Sequence, residues 1–451
     1  MNKNDIVPLH IDGLTNEGNG VGRYDGIVVF VPFSAVGDDL DVRIVKCGKS
    51  YCYGRIEDIR IPSPDRISPD CTVFGKCGGC VFRHISYDAE LAAKADMIRD
   101  TFTRIGGLDP EFMPIIPNDA VTCYRNKAQY PVGRDRDGNV VCGFYAQRSH
   151  RIIHCDRCEL EPPVFGEIRN AALAMIREIK IPPYNEDEHN GVVRHICIRR
   201  GHYSGEINVV LVVRRNIPEL KKIGAGLMKQ FPDIKGVTAN INKEKTNVIY
   251  GNEEITLCGK NEITDTMLGK RFIISPRSFY QVNTPMAEKL YSEAARLAEP
   301  DGKTLIDLYC GIGTVGLTMA DRVKKLIGVE IVPSAVENAK ANAALNGFKN
   351  AEFFLGDAGA VTSLLREKNI KADVVTVDPA RKGCDSRTLD NIVFFGPERI
   401  VMISCDPATA ARDCAYLAQH GYSTVSVRGV DLFSRTNHVE AVILLTRINK
   451  I

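Results

Sequence analysis

The pattern of apolar and polar positions divides the chain into three parts. In the first 60 residues apolar and polar residues alternate in short runs, which Gly-rich turns such as NEGNGVGRYDG interrupt. Alternation with a period of two, broken by frequent turns, is typical of small all-β folds. We therefore predict a small β-barrel over residues 1–59.

The middle part, residues 60–270, mixes both periodicities. It opens with a boundary region, 62–80, that is rich in Pro, Gly and Cys. The segment YDAELAAKADMIRDTFTRI at 87–105 has apolar residues spaced by three and four, which predicts an amphipathic helix. Strand-like runs such as HICIRR and INVVLVVRR follow, together with a helical pattern, FGEIRNAALAMIREI. This mixture predicts an α+β domain.

The last part, residues 271–451, alternates regularly between buried strands and helices. Seven segments have the strand pattern: TLIDLYC, KKLIGVEI, AEFFLG, ADVVTVD, RIVMISC, YSTVSVRGV and HVEAVILLTRI. Helical segments such as SAVENAKANAALNG lie between them. Such alternation predicts an α/β fold with a doubly wound, mostly parallel sheet.

Composition narrows the class of protein. The chain has 451 residues, of which 44% are hydrophobic and 25% charged, and a net charge of +2. This composition is typical of a multidomain globular protein and excludes a disordered polycation. No apolar run reaches the roughly 18 residues of a membrane span, and MNKNDIVPLH lacks a signal-peptide core. We expect a cytoplasmic protein with no membrane partner. In that compartment disulfides are rare, so closely spaced cysteines are first interpreted as metal ligands or nucleophiles.

A glycine loop follows the first strand of the last part. Gly311-Ile-Gly313-Thr-Val-Gly316 opens a helix, and Glu330 ends the next strand nineteen positions after Gly311. Glycines allow a close approach of the backbone to a ligand, and the carboxylate can bind ribose hydroxyls. The loop alone fits either a dinucleotide or S-adenosylmethionine.

Three features favour S-adenosylmethionine. Asp307 precedes the glycines in the D-x-x-x-G-x-G form typical of methyltransferases, and Asp378-Pro379 ends the fourth strand. The sheet also closes with two long strands after the last helix, where a dinucleotide-binding fold would add a second mononucleotide half.

Reactive side chains collect at the carboxyl ends of these strands, where open α/β sheets bind ligands. Cys405 ends the fifth strand and precedes a helix, whose N-terminus is expected to lower the pKa of the thiol. If the last strand runs antiparallel, Glu440 lies near Cys405. A thiolate, a base and S-adenosylmethionine together suit methylation at carbon 5 of uracil, because thiolate addition at carbon 6 makes carbon 5 nucleophilic.

Five motifs carry a family resemblance, and all occur in the family's order and spacing. They are Phe279-Tyr-Gln281-Val-Asn283, Asp307-Leu-Tyr-Cys-Gly-Ile-Gly-Thr314, Asp378-Pro-Ala-Arg381-Lys-Gly383, Ser404-Cys405-Asp-Pro407 and His438-Val-Glu440. The chain resembles, over essentially its whole length, the RNA (uracil-5-)-methyltransferases of the 23S rRNA type. The resemblance implies a Rossmann-like class I methyltransferase domain with a seven-stranded sheet at 271–451. It also implies a TRAM domain, an OB-like RNA-binding barrel, at 1–59 and a central α+β iron–sulfur domain at 60–270.

The resemblance also assigns roles to single residues. Cys405 would be the nucleophile and Glu440 the base. Contacts to S-adenosylmethionine would come from Gln281, Tyr309, Glu330 and Asp378. Arg381 would support the active-site loop, and Asp406 stands where the family often has Asn. Helix 87–105 is similar to a family segment that packs on the catalytic domain.

The cysteines form a second candidate site. Cys71, Cys77 and Cys80 with one of Cys155 and Cys158 have the count expected for a four-cysteine cluster, and this family holds an iron–sulfur centre there. Cys158 best matches the fourth ligand of a 4Fe-4S cluster, and Cys155 is the alternative. A structural zinc site of Cys77, Cys80, Cys155 and Cys158 is the rival interpretation.

Arginine and aromatic residues are dense in the central part, as expected for a protein that binds phosphates and stacks on bases. They are Arg125, Arg134, Arg136, Arg148, Arg151, Arg157, Arg194, Arg199, Arg200, Arg214, Arg215, Tyr124, Tyr130, Phe144, Tyr145 and Tyr203. We expect a monomer that acts on structured RNA, 23S rRNA first and a tRNA T-loop as the alternative. An NAD-dependent oxidoreductase and a non-catalytic RNA-binding protein are the competing classes.

Overall fold

The computed structural model describes residues 1–448, and within them four sheets and nine helices account for the regular structure. No helix in this range is both long and apolar enough to cross a membrane. The three hydrophobic patterns of the sequence correspond to three large sheets, each with its own apolar core.

The N-terminal sheet has six strands. They are β1 (Ile6–His10), β2 (Gly13–Leu14), β3 (Asn19–Tyr24), β4 (Ile27–Pro32), β5 (Asp39–Cys47) and β6 (Tyr51–Ile61). Their order is β1-β5-β6-β4-β3-β2, and β1 also contacts β3. Alternate residues such as Val29, Val31, Leu40 and Val42 point inward and are fully buried, as a barrel-like sheet with one apolar face requires.

Helix α1 (Tyr87–Arg104) and strand β7 (Glu111–Ile116) connect the first sheet to the rest. The Ser86 side chain accepts a hydrogen bond from the Ala89 N–H and so caps α1. Ile98 and Phe102 are buried in the core beneath helix α9 (Pro407–Gln419), so α1 packs on the C-terminal sheet.

The central sheet has seven strands in the order β10-β9-β8-β11-β12-β13-β14. Its elements are β8 (Lys127–Arg134), β9 (Val140–Tyr145), β10 (Ile152–His154), α2 (Pro163–Glu178), β11 (Val193–Arg200), β12 (Ile207–Val213), α3 (Glu219–Gln230), β13 (Ile234–Ile241) and β14 (Glu253–Gly259). Helices α2 and α3 share a core with the sheet. A hairpin of β15 (Ile263–Met267) and β16 (Lys270–Ile274) leads to the last part.

The C-terminal sheet carries the candidate active site. Its elements are α4 (Thr284–Ala298), β17 (Thr304–Leu308), α5 (Thr314–Thr318), β18 (Lys325–Glu330), α6 (Pro333–Leu345), β19 (Ala351–Leu355), α7 (Ala358–Glu367), β20 (Val374–Val377), α8 (Ser386–Phe395), β21 (Arg399–Ser404), α9, β22 (Tyr422–Val430) and β23 (Glu440–Arg447). The order is β19-β18-β17-β20-β21-β23-β22-β7, with β17 to β21 parallel and β23 antiparallel to β21. The order reverses between β17 and β20, which is where such sheets bind ligands.

This sheet has eight strands, so the prediction of seven is wrong. The additional strand is β7, which pairs in parallel with β22 at the edge although it precedes the central sheet in the chain. Pro114 lies inside β7, and prolines within sheets occur mainly on edge strands, at strand starts or at bulges. Its sequence, EFMPII, therefore gives no recognisable strand signal.

Candidate active site

The glycine loop between β17 and α5 has an unusual backbone. Tyr309, Gly311 and Gly313 have positive φ values of 63°, 56° and 87°, and Gly313 caps α5. The Gly311 N–H donates to Glu330 Oε2 at 3.0 Å, and the Val332 N–H donates to Oε1 at 2.8 Å. The Glu330 carboxylate is therefore fixed directly beside the loop.

Asp307 holds this loop from below. Its carboxylate is buried and accepts hydrogen bonds from Thr376 Oγ1 at 2.7 Å and from the Gly316 N–H at 2.9 Å. Burial raises its pKa to about 7. Asp307 thus connects β17, β20 and α5 and lies under the ligand-binding edge.

Three of the predicted cofactor residues lie in one row. The parallel register places Tyr309, the first residue after β17, between Glu330 on one neighbouring strand and Asp378 on the other. Burial, followed by the charge of Asp307, raises the pKa of Asp378 to about 7.

Cys405 and Glu440 lie farther along the same edge. The last residue pair between β21 and β23 joins Ser404 to Ala441. Cys405 and Glu440 are the next residues along the two strands and therefore lie opposite each other. Glu440 is 3% exposed, and burial with the charge of Asp378 raises its pKa to about 8. The antiparallel last strand brings the two predicted catalytic groups together.

The expectation that the helix N-terminus lowers the pKa of Cys405 is wrong. Burial, followed by the charges of Glu440 and Asp378, raises the pKa of the thiol to about 11, and Arg381 only partly opposes them. The free N–H groups at the start of α9 are already engaged. The Asp406 side chain accepts from the Ala408 and Thr409 N–H groups at 2.9 and 3.2 Å.

Gln281 lies on a loop that residues outside the C-terminal sheet hold in place. The Asn126 N–H donates to the Val282 carbonyl at 2.7 Å, and Asn126 Nδ2 donates to the Gln281 carbonyl at 2.8 Å. Arg199 donates to the carbonyls of Ser275 and Ser278 at 3.1 and 2.8 Å. Sequence reasoning missed Asn126 and assigned Arg199 to RNA.

Tyr291 was also missed. It is fully buried on α4, and its hydroxyl lies 3.4 Å from Thr314 Oγ1. Burial, followed by the charges of Asp378 and Glu440, raises its pKa. Its sequence context is an ordinary amphipathic helix, so only the three-dimensional arrangement reveals a hydroxyl near the carboxyl groups of Asp378 and Glu440.

Arg381 and His438 meet at the mouth of the site. Arg381 Nη2 lies 3.3 Å from His438 Nε2. Burial and the Arg381 charge lower the pKa of His438 to about 4, so the imidazole is neutral near pH 7 and can accept this hydrogen bond.

The cysteines predicted as metal ligands surround one cavity. Cys71, Cys77, Cys80, Cys155 and Cys158 line a space of about 70 Å³, together with apolar side chains. Two guanidinium atoms at this cavity, Arg83 Nη2 and Arg125 Nε, are buried and have no hydrogen-bond partner within residues 1–448. Over the same range, no three His, Cys, Asp or Glu side chains are arranged to hold a metal ion.

Several residues predicted to contact RNA have structural roles instead. Tyr124, Tyr130, Arg194 and Arg199 are buried, and Arg194 donates to the carbonyls of Asn242, Glu244 and Thr246. The exposed members of the predicted set are Arg134, Arg136, Arg148, Arg151, Arg157, Arg215 and Tyr203. The exposed arginines are therefore the remaining candidates for phosphate contacts.

The doubly wound sheet, the glycine loop and the row of acidic residues at its switch point define a class I methyltransferase-like protein. The family model described as tRNA (Uracil-5-)-methyltransferase matches residues 86–448, and a TRAM domain model matches residues 2–56. The chain belongs to the tRNA (uracil-5-)-methyltransferase family, and the predicted family resemblance is confirmed.

Individual relatives extend over the whole chain. An uncharacterized RNA methyltransferase from Halalkalibacterium halodurans is 42% identical over 448 residues, 99% of this chain and 98% of its own. One from Listeria innocua is 41% identical over 452 residues, at 99% and 98% coverage. The solved tRNA (uracil-54, C5)-methyltransferase of Pyrococcus abyssi, in complex with S-adenosyl-L-homocysteine, matches with a TM-score of 0.78 at 26% identity, covering 97% of this chain and 99% of that one.

These findings make the protein an S-adenosylmethionine-dependent RNA (uracil-5-)-methyltransferase with an N-terminal TRAM domain. The oxidoreductase and the non-catalytic RNA-binding protein are thereby set aside.

Proposed function

We propose that this enzyme methylates carbon 5 of a specific uridine through a covalent adduct between Cys405 and carbon 6 of the uracil. The observation that carries the proposal is the β21–β23 register, which makes Cys405 and Glu440 neighbours at the ligand-binding edge.

The electron flow follows from the two groups. The Cys405 thiolate adds to carbon 6, and the electron pair of the carbon 5–carbon 6 double bond moves to carbon 5 and the carbonyl at carbon 4. Carbon 5 then takes the methyl group of S-adenosylmethionine, and the sulfur of that donor keeps the electron pair of the broken sulfur–carbon bond. The Glu440 carboxylate removes the remaining proton from carbon 5, the double bond re-forms, and the Cys405 thiolate leaves.

Four residues are proposed to bind S-adenosylmethionine, which supplies an electrophilic methyl group on a sulfonium when bound. Glu330 would bind the ribose hydroxyls, since backbone N–H groups already orient both of its oxygens. Tyr309, Asp378 and Gln281 would line the remainder, with Asp378 and Gln281 also near the uracil. A cation next to Asp378 would reduce the repulsion that raises the pKa of Glu440 and Cys405.

Uridine in 23S rRNA is the proposed substrate, on the resemblance of the motifs, the TRAM domain and the cysteine cluster to that family type. A tRNA T-loop uridine is the second candidate. It is supported by the Pyrococcus abyssi enzyme, which matches nearly the whole chain and is a tRNA (uracil-54, C5)-methyltransferase. In either RNA, the uridine has to leave its stack to reach Cys405.

We further propose that Cys71, Cys77, Cys80 and Cys158 hold a 4Fe-4S cluster. All four thiols line one cavity, and an anionic cluster would supply acceptors for the unpaired guanidinium atoms of Arg83 and Arg125. Four irons occupy a volume rather than a point, so their thiolates need not converge as ligands of one ion do. Cys158 is proposed as the fourth ligand on the family resemblance, and Cys155, which lines the same cavity, is the alternative.

Two experiments test the enzyme. The first compares Cys405→Ala with Cys258→Ala, which removes a partly exposed thiol on β14 of the central sheet. We expect Cys405→Ala to abolish methyl transfer while S-adenosylmethionine still binds, and Cys258→Ala to remain active; methylation by Cys405→Ala would refute the covalent route. The second maps 5-methyluridine in rRNA and tRNA from cells with and without the gene, and the RNA that loses its mark identifies the substrate.

A further inference from the structure

The loop between β22 and β23, residues 431–439, leads directly into Glu440 and is fixed by the N-terminal third of the chain. Lys94 Nζ and the Tyr87 hydroxyl donate to the two carboxylate oxygens of Asp431, each at 2.6 Å. The Tyr124 hydroxyl donates to the Ser434 carbonyl at 2.8 Å. The base loop, as we call residues 431–439, therefore depends on contacts that are distant in sequence.

Arg435 is strongly constrained within the base loop. It has a φ of 70°, a left-handed conformation that a non-glycine residue keeps only when its surroundings enforce it. Its N–H donates to Glu90 Oε1 at 2.7 Å, and its guanidinium donates to the Ile85 carbonyl at 3.1 Å. Its carbonyl accepts from the N–H groups of Val81 and Phe82 at 2.9 and 3.2 Å.

All of these hydrogen bonds connect Arg435 to one segment. Within residues 1–448, every hydrogen-bond partner of Arg435 lies between 81 and 90. That segment is itself rigidly packed: Phe82 and Ile85 are 1% and 2% exposed and share a small core with Ala35 of the barrel. It begins directly after Cys80 of the cysteine cavity.

We propose that Arg435 is a positioning residue for Glu440: by fastening the base loop to segment 81–90, it holds the carboxyl group at the place where it can take the proton from carbon 5. Within the described residues, the hydrogen bonds of Arg435 reach only segment 81–90, so it is assigned no direct contact with substrate or cofactor. The inference rests on the proposed role of Glu440. It assigns to the N-terminal segment a function in the second half of the reaction, after methyl transfer.

The test uses the order of the steps. A displaced base slows the elimination of Cys405 but not the formation of the adduct, so Arg435→Ala should accumulate a covalent protein–RNA adduct on denaturing gels. We expect its kcat to fall roughly tenfold or more while the KM values for RNA and S-adenosylmethionine change less than about threefold. Arg435→Lys, which keeps one charged donor, should recover part of kcat and show less adduct.

Two further variants keep the result interpretable. Arg435→Gly accepts the left-handed backbone while removing the side chain, so it separates backbone strain from side-chain contacts if Arg435→Ala folds poorly. Arg322→Ala is the control. Arg322 is exposed, pairs with Asp301 and precedes β18, so it lies at the amino ends of the parallel strands, away from the ligand-binding edge. This variant should behave as wild type.

The outcomes are distinct. Wild-type kinetics in Arg435→Ala, or a parallel loss of binding and turnover without adduct, would overturn the positioning role. If Glu440→Gln itself forms no adduct, the proposed function fails, and this inference fails with it. If Glu440→Gln forms an adduct and the folded Arg435 variants do not, only the role of Arg435 is refuted.

Discussion

Three carboxyl groups with raised pKa values lie at the ligand-binding edge: those of Asp307 and Glu440, which are buried, and that of Asp378, which is half-buried. Burial raises the pKa of each one to between about 7 and about 8. The site has to bind a cationic sulfonium and then remove a proton. Carboxyl groups that are protonated near neutral pH but can still ionise suit both tasks. These shifts also have a consequence for stability, because the folded chain binds protons that the unfolded chain releases.

Glu440 provides the clearest case. Its pKa rises from 4.5 to about 8 on folding, so the stability contributed by its protonated form is complete below pH 4.5 and is lost as the pH rises through 8. The loss amounts to at most about 1.4 kcal/mol per pH unit in this window. Glu440→Gln cannot lose a proton, so we expect its melting temperature relative to wild type to increase between pH 5.5 and 8.5.

Exposed Glu262 supplies the matched control. Glu262→Gln should follow the wild-type pH profile throughout. A Glu440→Gln difference that does not change with pH would show that this carboxyl group is not buried in its protonated form.

At the scale of single elements, helix α9 determines where Cys405 stands. Asp406 caps the helix, and Pro407 is pre-shaped for its first position, so the chain turns sharply directly after the thiol. Cys405 thereby lies between a strand end and a helix start, where neither element can shift without the other. The sequence shows this turn clearly, since Cys-Asp-Pro followed by an amphipathic run is a helix start signal.

The cap can be tested by its stability. Asp406→Ala should lower the free energy of unfolding by about 1 kcal/mol, because the Ala408 and Thr409 N–H groups lose their acceptor. Asp406→Asn should stay within a few tenths of a kcal/mol of wild type, since asparagine caps about equally well. Urea denaturation measures both; equal losses in the two variants would show that the carboxylate charge, rather than the cap, stabilises the helix.

The sequence predicts the elements unevenly, for physical reasons. Strands β17, β18, β20 and β21 are buried on both faces and read as apolar runs, so the sheet and the residues at its carboxyl ends follow from the pattern. Strand β7 does not, because it is a half-exposed edge strand with an internal proline. The pKa of Cys405 also could not be predicted, since it depends first on how deeply folding buries the thiol and then on the charges of Glu440 and Asp378.

At the scale of the whole molecule, the N-terminal third forms part of the catalytic sheet's support. Strand β7 extends the sheet, α1 packs beneath α9, and segment 81–90 fastens the base loop. Asn126 and Arg199 of the central sheet hold the Gln281 loop. Contacts of this kind join residues about 80 to 350 positions apart, and no local periodicity encodes them. The domain boundaries at 59 and 270 stay predictions, since the supporting contacts cross both.

The cysteine cavity is the second junction of this kind, because it joins the 71–80 loop to the 155–158 loop. We expect anaerobically purified protein to be brown and to contain about four irons and four acid-labile sulfides per chain. Cys80→Ala should lose the iron and sulfide and melt at a lower temperature. Cys258→Ala should keep the wild-type iron and sulfide content and the wild-type melting temperature. Colourless protein that contains one zinc per chain would contradict the iron–sulfur cluster and support the zinc site.

The covalent intermediate is the central claim, and one measurement addresses it directly. Glu440→Gln is incubated with S-adenosylmethionine and substrate RNA, digested with nuclease and protease, and analysed by tandem mass spectrometry. We predict a peptide whose Cys405 sulfur carries a 5-methylated, 6-linked uridine, because methylation proceeds while proton removal from carbon 5 does not. A modified RNA with no nucleotide on Cys405, or with the nucleotide on another cysteine, would contradict the account.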